Sequence, residues 1–206
     1  METAYVYVDG WNFYHGINTP ELHPLGFTDL KKLCQHILGT RVQVDRVHYF
    51  TTSDCDKRAI ERQQFWLDAL ASSGVLIEKP GFFRNNPERG KHEEKTTDVR
   101  IALKIAEDAR VGKHTHILLL SADADFLPAL EQAHALRKRI KIVFPPGLNC
   151  QELKQFDQFA EAITKSDLEF ALFDGERRTL KGVPLSKALE YGWACKIGGR
   201  IKTERH

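Results

Sequence analysis

No apolar run exceeds the roughly five or six residues of a buried strand, whereas a membrane-crossing helix needs about 20, so no membrane segment is expected. The opening Met1-Glu2-Thr3-Ala4 carries an acidic residue rather than a basic start followed by an apolar stretch. A secretory leader is therefore not expected, and the chain reads as cytoplasmic. The four cysteines, Cys34, Cys55, Cys150 and Cys195, contain no C-x-x-C pair, which argues against a zinc ribbon and a disulfide framework and for reduced structural thiols. His114 and His116 form an H-x-H ahead of an apolar run, with no Cys or third His nearby to complete a zinc set; they read as strand-edge residues. There is no G-x-S-x-G, no Walker loop and no HEXXH, so serine hydrolase, P-loop NTPase and zinc protease have little support. Nor is there an internal repeat or a low-complexity tract. An excess of charge is missing too: 30 Lys+Arg face 28 Asp+Glu, a formal charge of +2, so any contact with nucleic acid has to come from local clusters.

What is present is an ordinary globular composition, 42% hydrophobic and 28% charged over 206 residues, enough for one full α/β core and an appendage. Tyr5-Val6-Tyr7-Val8 is a continuous apolar run ending in Asp9-Gly10, the pattern of a strand buried on both faces and followed by a turn. Phe27 to Leu38 reads as a helix closed by Gly39, with Leu30, Leu33, Cys34 and Ile37 at i, i+3, i+4 and i+7. Val42 to Phe50 reads as a strand, Asp54 to Ser73 as a helix capped by Gly74, and Val75 to Lys79 as a short strand. From Pro80 to Lys95 the composition turns to Gly, Pro, Asn and charge, which reads as a flexible basic loop. A helix begins at Thr96 or Thr97 and carries Ile101, Ala102, Ile105 and Ala109 on its inner face. Ile117 to Leu120 follows as a strand, Phe126 to Leu136 as a helix, and Ile140 to Phe144 as a strand stopped by Pro145-Pro146. The strict alternation of strand and helix predicts an α/β fold, a mostly parallel five-stranded sheet between helices. Glu152 to Phe156 reads as helical, Phe159 to Ile163 as an edge strand, and Lys165 to Phe173 as a last helix. The main domain is expected over residues 1–173, with a basic tail or small appendage over 174–206.

In an open parallel sheet, functional groups collect outside the carboxyl ends of the strands, above all where the strand order reverses. The first strand ends in Asp9, the Ile117–Leu120 strand runs into Ser121-Ala122-Asp123-Ala124-Asp125, and Asp98 opens the helix between. Each has a local explanation, as a turn residue or a helix cap. Local explanations do not account for all four falling on one predicted edge. Four like charges packed together would raise one another's pKa values, so a divalent cation is the natural partner. Hard oxygen ligands favour Mg²⁺ or Mn²⁺.

Three elements carry a resemblance. Tyr7-Val8-Asp9-Gly10-Trp11-Asn12 is similar to the hydrophobic-D-x-x-N opening of NYN-domain proteins, the LabA-like branch of the PIN-like nucleases. Lys95-Thr96-Thr97-Asp98-Val99 resembles that family's K-x-x-D-V element, and Leu120-Ser121-Ala122-Asp123-Ala124-Asp125-Phe126-Leu127-Pro128 its S-G-D-x-D-F-x-P element. They occur in the family's order, within about residues 4 to 165. The resemblance implies a PIN-like three-layer fold and metal-dependent cleavage of RNA, with Asp9, Asp98, Asp123 and Asp125 as the metal-binding carboxylates and Asn12 and Ser121 as polar supports. Two positions depart from the pattern: Ala122 stands where the family usually has Gly, and Thr96-Thr97 replaces a Gly-containing pair.

On that reading the basic segment before Asp98 would contact single-stranded RNA through Arg84, Arg89, Lys91 and Lys95, with Lys95 on a phosphate and Phe82 stacked on a base. Trp11 would sit at the rim of the site, as a base-stacking ring or as packing over the sheet edge. Arg137-Lys138-Arg139 falls at the far end of a helix and reads as solvated charge. Because PIN-like nucleases often pair, the resemblance also implies a homodimer. Two other readings stay open: a catalytically weak or inactive RNA-binding or interaction module on the same fold, and a Toprim-like metal-dependent phosphotransfer enzyme. Toprim nucleases, however, begin with Glu where this chain has Asp9.

Overall fold

The computed structural model describes residues 1–51, 57–78, 82–86, 91–175, 178–179, 181–187, 195–197 and 200–202. Its centre is β1 (Glu2–Asp9), which runs into helix α1 (Gly10–Ile17). Then come α2 (Leu30–Leu38), β2 (Val42–Phe50), α3 (Lys57–Ser72), β3 (Leu76–Ile77), β4 (Phe82–Asn86), β5 (Lys91–Lys95) and α4 (Thr97–Val111). The second half adds β6 (His116–Leu120), α5 (Leu127–Ala135), β7 (Arg139–Phe144), β8 (Glu161–Ala162), α6 (Lys165–Phe170), β9 (Cys195–Ile197) and β10 (Arg200–Lys202). Six strands form one parallel sheet in the order β3-β2-β1-β6-β7-β8. The sixth is the two-residue edge strand β8, where the sequence suggested a sheet of five.

Alternation along the strands divides the apolar side chains between two cores. Val6, Val8, Leu118 and Leu120 face α1, α2, α3 and α6, where they meet Phe13, Leu33, Trp66 and Leu168. Tyr5, Tyr7, Ile117 and Leu119 face α4 and α5, against Ile101, Ile105, Leu130 and Ala133. Helices cover both faces, which is why β1 and β6 read as unbroken apolar runs. A bulge in the β1–β2 register between Ala4 and Tyr5 keeps Val44 and Val47 in the same core despite their odd spacing.

Several boundaries differ from the sequence reading. Helix α1 stands where only a turn was expected: Gly10, Asn12 and Gly16 are poor helix formers, and what holds the helix is the Asp9 cap and the burial of Phe13 and Ile17. Helix α2 starts at Leu30 rather than Phe27, because Asp29 caps it by accepting from the Lys31 and Lys32 N–H groups. Thr28 instead bridges to Leu172 in extended backbone. The expected basic loop contains an antiparallel ribbon of β4 and β5, with Phe82 opposite Lys95 and Asn86 opposite Lys91. Turn-forming Asn, Pro and Gly between two short segments are a hairpin signal that the charge of the stretch obscured. Beyond Phe173, Val183 packs on the first core and Leu185 is buried within it. Cys34 and Cys150 are free, buried thiols; Cys55 lies outside the described residues. No helix among the described residues is long and apolar enough to cross a membrane.

Helix α1 is wedged between its neighbours by two close approaches. A Cβ at Gly10 would collide with the Phe50 carbonyl oxygen and lie 2.5 Å from the Tyr49 hydroxyl, and one at Gly16 would lie 2.7 Å from Pro145 Cβ. Replacing Gly10 by alanine is expected to cost about 1–3 kcal/mol, the usual penalty for overpacking a site that cannot yield. Urea unfolding measures it. A loss below about 0.5 kcal/mol, the scale of an ordinary surface change, would mean that the end of β2 moves aside.

Candidate active site

The chain leaves β1 toward β2 and β3 on one side, and β6 leads to β7 and β8 on the other. The sheet order therefore reverses between β1 and β6, and the carboxyl ends of these two strands form the crevice where such folds place their chemistry. Asp9 closes β1 there. It is 4% exposed, and both its oxygens are fixed: Oδ1 accepts the Asn12 backbone N–H at 3.0 Å and Oδ2 accepts the Ser121 hydroxyl at 3.0 Å.

The loop after β6 hangs on the same residues. The Asn12 side-chain carbonyl accepts the Ala122 N–H at 3.0 Å, and Ser121 Oγ accepts the Asp123 N–H at 3.1 Å. Asp123 Oδ1 in turn accepts the Asp125 N–H at 2.9 Å, starting the 3₁₀ turn Ala124–Phe126. Two sequence segments 110 residues apart are thus joined by one hydrogen-bond chain. Ser121 is fully buried, Asp123 half-buried and Asp125 exposed.

Asp98 comes from the first turn of α4, and the far end of that helix is tied to β1. The Tyr7 hydroxyl donates to Asp108 Oδ2 at 3.0 Å, and Lys104 Nζ donates to Asp108 Oδ1 at 3.0 Å. Burial holds the Tyr7 phenol protonated, as a donor must be. The helix is entered through Thr96, whose φ of 93° lies in the left-handed region that favours glycine. This is one of the two positions where the family pattern has glycine nearby, so the substitution carries backbone strain here. Ala122, at the other departure, is absent from the positive-φ residues among those described and sits without that strain.

The electrostatics follow from this placement. Burial pushes the Asp9 carboxyl up from 3.8 to about 6; hydrogen bonds from Asn12 and Ser121 oppose the rise, and the charges of Asp98 and Asp123 add to it. Three carboxylates thus act on one another from different elements, while Asp125 stands one step outward on the same turn. Their all-oxygen donor chemistry fits a hard divalent cation. Among the described residues no three metal-ligating side chains close into a ready cage.

The other expected contacts divide. Trp11 lies in the first turn of α1, the helix that Asp9 caps, and is 47% exposed. Arg89 lies outside the described residues, as do the side chains of Phe82, Arg84, Lys91 and Lys95, whose backbone forms β4 and β5. His114 is a buried neutral imidazole stacked on Tyr5 at 4.0 Å. Tyr14 and His15 were missed by the sequence reading, because their only signal is the i+3 and i+4 spacing from Trp11 in a helix it did not expect.

A doubly wound sheet with carboxylates gathered at its switch point defines the class to which PIN-like nucleases belong. A family model described as NYN domain matches residues 3–164, and the chain belongs to this family. NYN domains fall within the PIN-like nuclease superfamily, whose members are in general hydrolases of phosphodiester bonds. The fold is also similar to the crystal structure of a protein of unknown function from Vibrio parahaemolyticus, at 20% identity and a TM-score of 0.61 over 80% of this chain and 94% of that one. No curated protein matches.

Two buried groups set opposite pH trends. With a folded value near 6, above its ordinary 3.8, Asp9 adds stability that is complete below about pH 3.8 and lost as pH rises through 6, about 3 kcal/mol in all. His114 is depressed from 6.5 to about 4 by burial and by Lys138, so its contribution is complete above about pH 6.5 and lost as pH falls through 4. In EDTA, Asp9→Asn is expected to raise stability at pH 7 and leave a profile that declines toward pH 4. His114→Phe should leave one that declines toward pH 7. Urea midpoints across this range read both, and profiles that coincide with the wild type would contradict the assignment.

Proposed function

We propose that this chain is a metal-dependent ribonuclease, hydrolysing RNA phosphodiester bonds at the carboxylate edge between β1 and β6. One observation carries the reading: Asp9 is buried at the switch point and pushed up to about 6 within reach of the Asp98 and Asp123 charges. A fold does not retain so costly an arrangement for stability, since a neutral residue would serve better there. A module that merely bound RNA would gain nothing from negative charges where phosphates dock.

Asp9, Asp98 and Asp123 would hold Mg²⁺ or Mn²⁺, with Asp125 supplying a further oxygen at the rim. The cation supplies Lewis-acid activation of water and neutralises charge on the phosphate. The chain's own contribution is positioning. Ser121 and the Asn12 N–H aim the Asp9 oxygens, and the Asn12 side chain fixes the loop that carries Asp123. The raised Asp9 value means that part of the population holds a proton on this carboxyl near neutral pH, and Asp9 would have to give it up to serve as a ligand.

RNA would be gripped by Lys95, Arg84, Arg89 and Lys91, with Phe82 stacking on a base. What supports this is chain order, because β4 and β5 lead from β3 directly into the helix that carries Asp98. We take residues 1–173 as the nuclease domain and 174–206 as an appendage of which Val183 and Leu185 pack against it. The reading extends to a cytoplasmic, LabA-like enzyme acting on single-stranded RNA as a homodimer.

Cleavage of a labelled single-stranded RNA with Mn²⁺ or Mg²⁺, run beside EDTA and the Asp123→Asn variant, tests the proposal. Asparagine keeps an oxygen to cap the Asp125 N–H, so the variant should fold. Its rate is expected to fall by roughly 100-fold or more, the upper end of what losing even an outer partner of a metal site costs, and EDTA should abolish cleavage. A wild type that binds the RNA yet cuts it with neither ion would replace the nuclease by a binding module.

A further inference from the structure

The outward face of α1 carries an aromatic group that the hydrogen-bond chain around Asp9 does not use. Trp11, Tyr14 and His15 stand at i, i+3 and i+4 and so share one side of the helix, while Phe13 and Ile17 are buried on the other. Tryptophan is on average a highly buried residue, but Trp11 keeps 47% of its surface open. It is held nonetheless. The His15 imidazole meets the indole at right angles, with ring centres 4.5 Å apart, and the Tyr14 ring lies nearly parallel to it at 6.2 Å. The helix beneath is braced by its two glycines, Gly10 against the end of β2 and Gly16 against Pro145 and Pro146. Helix α1 bears no carboxylate, its sequence being GWNFYHGI. Trp11 follows Asp9 by two residues, at most about 7.6 Å along the chain.

An indole half open to solvent, braced by two neighbouring rings on the helix that Asp9 caps, offers what an unpaired base needs: an aromatic plane with little ordering left to do on binding. A duplex keeps its bases stacked inside and has no such face to offer along its length. We propose that Trp11, braced by Tyr14 and His15, is a stacking platform for an unpaired base beside the phosphate at the carboxylate edge, and that it makes the site select single-stranded over duplex RNA. The proposal takes the polymer, RNA, from the function argued above.

The test is binding by the full-length protein in EDTA, so that cutting plays no part. The probes are a fluorescein-labelled single-stranded RNA and the same strand annealed to its complement, read by anisotropy. Trp11→Ala is expected to weaken single-strand binding by roughly 5- to 150-fold, the usual effect of removing one stacked ring, and to leave duplex binding unchanged. Trp11→Phe should recover much of the loss, and Trp11→Leu, which covers the same surface without an aromatic face, should not. The leucine variant replaces alanine in the comparison if alanine lowers the melting temperature.

Equal single-strand affinity in wild type and Trp11→Leu would overturn the platform, as would an equal loss for single strand and duplex. So would a variant that binds RNA normally but turns a dimer into a monomer, since the face would then be an interface between two copies. The two proposals fail separately. A wild type that binds through Trp11 but cuts nothing keeps the platform and loses the nuclease, and one that cuts RNA with no dependence on Trp11 does the reverse.

Discussion

The arrangement depends on a carboxylate placed where the sheet changes direction. Asp9 is the last residue of the central strand, and its position leaves it buried, capping α1 and accepting the hydroxyl that anchors the loop after β6. Those hydrogen bonds stabilise the charged form, yet burial outweighs them, and the nearby Asp98 and Asp123 charges add to the imbalance. A residue that orders both halves of the crevice is thus also the group least comfortable in it. Natural proteins tend to accept such local instability where function requires it.

The surroundings are built to bear that cost. Two cores sandwich β1 and β6, so among the strands whose side chains are described, those that present the site are the most deeply buried. The Tyr7–Asp108 hydrogen bond ties the far end of α4 to β1, and at the near end the Asp98 charge acts on Asp9 even though α4 is entered through a strained Thr96. On the opposite face, close contact of Gly10 and Gly16 with their neighbours fixes α1. The crevice is therefore set between two anchored helices, one carrying Asp98 and the other the exposed Trp11.

How much of this could be read beforehand depended on whether the signal was local. Tyr5–Val8 and Ile117–Leu120 announced themselves as buried strands because helices cover both sides of them, and the candidate carboxylates were picked out from two strand ends and, for Asp98, a helix start. Helix α1 was invisible to propensity, since its glycines serve packing between distant segments and its cap comes from Asp9. The β4–β5 ribbon was hidden behind the charge of Arg84, Lys91 and Glu93, although Asn86, Pro87 and Gly90 signal a turn. The contacts that unify the site, Ser121 to Asp9 and Asn12 to Ala122, span more than a hundred residues and leave no periodic trace in the sequence; only the family resemblance pointed to Asn12 and Ser121.

The account stands or falls on whether the carboxylate edge takes a cation. The most direct measurement is the melting temperature of the wild type and of Asp9→Asn at pH 7, as Mn²⁺ is added to protein freed of metal. A ligand that binds only the folded state stabilises it by about 2.7 kcal/mol at a hundredfold excess over its dissociation constant. The wild type should therefore melt progressively higher, while Asp9→Asn, already relieved of its buried charge, should start higher and stay where it started. A wild type indifferent to Mn²⁺, or a variant that shifts equally, would contradict the claim that Asp9 is held ready for a metal ion.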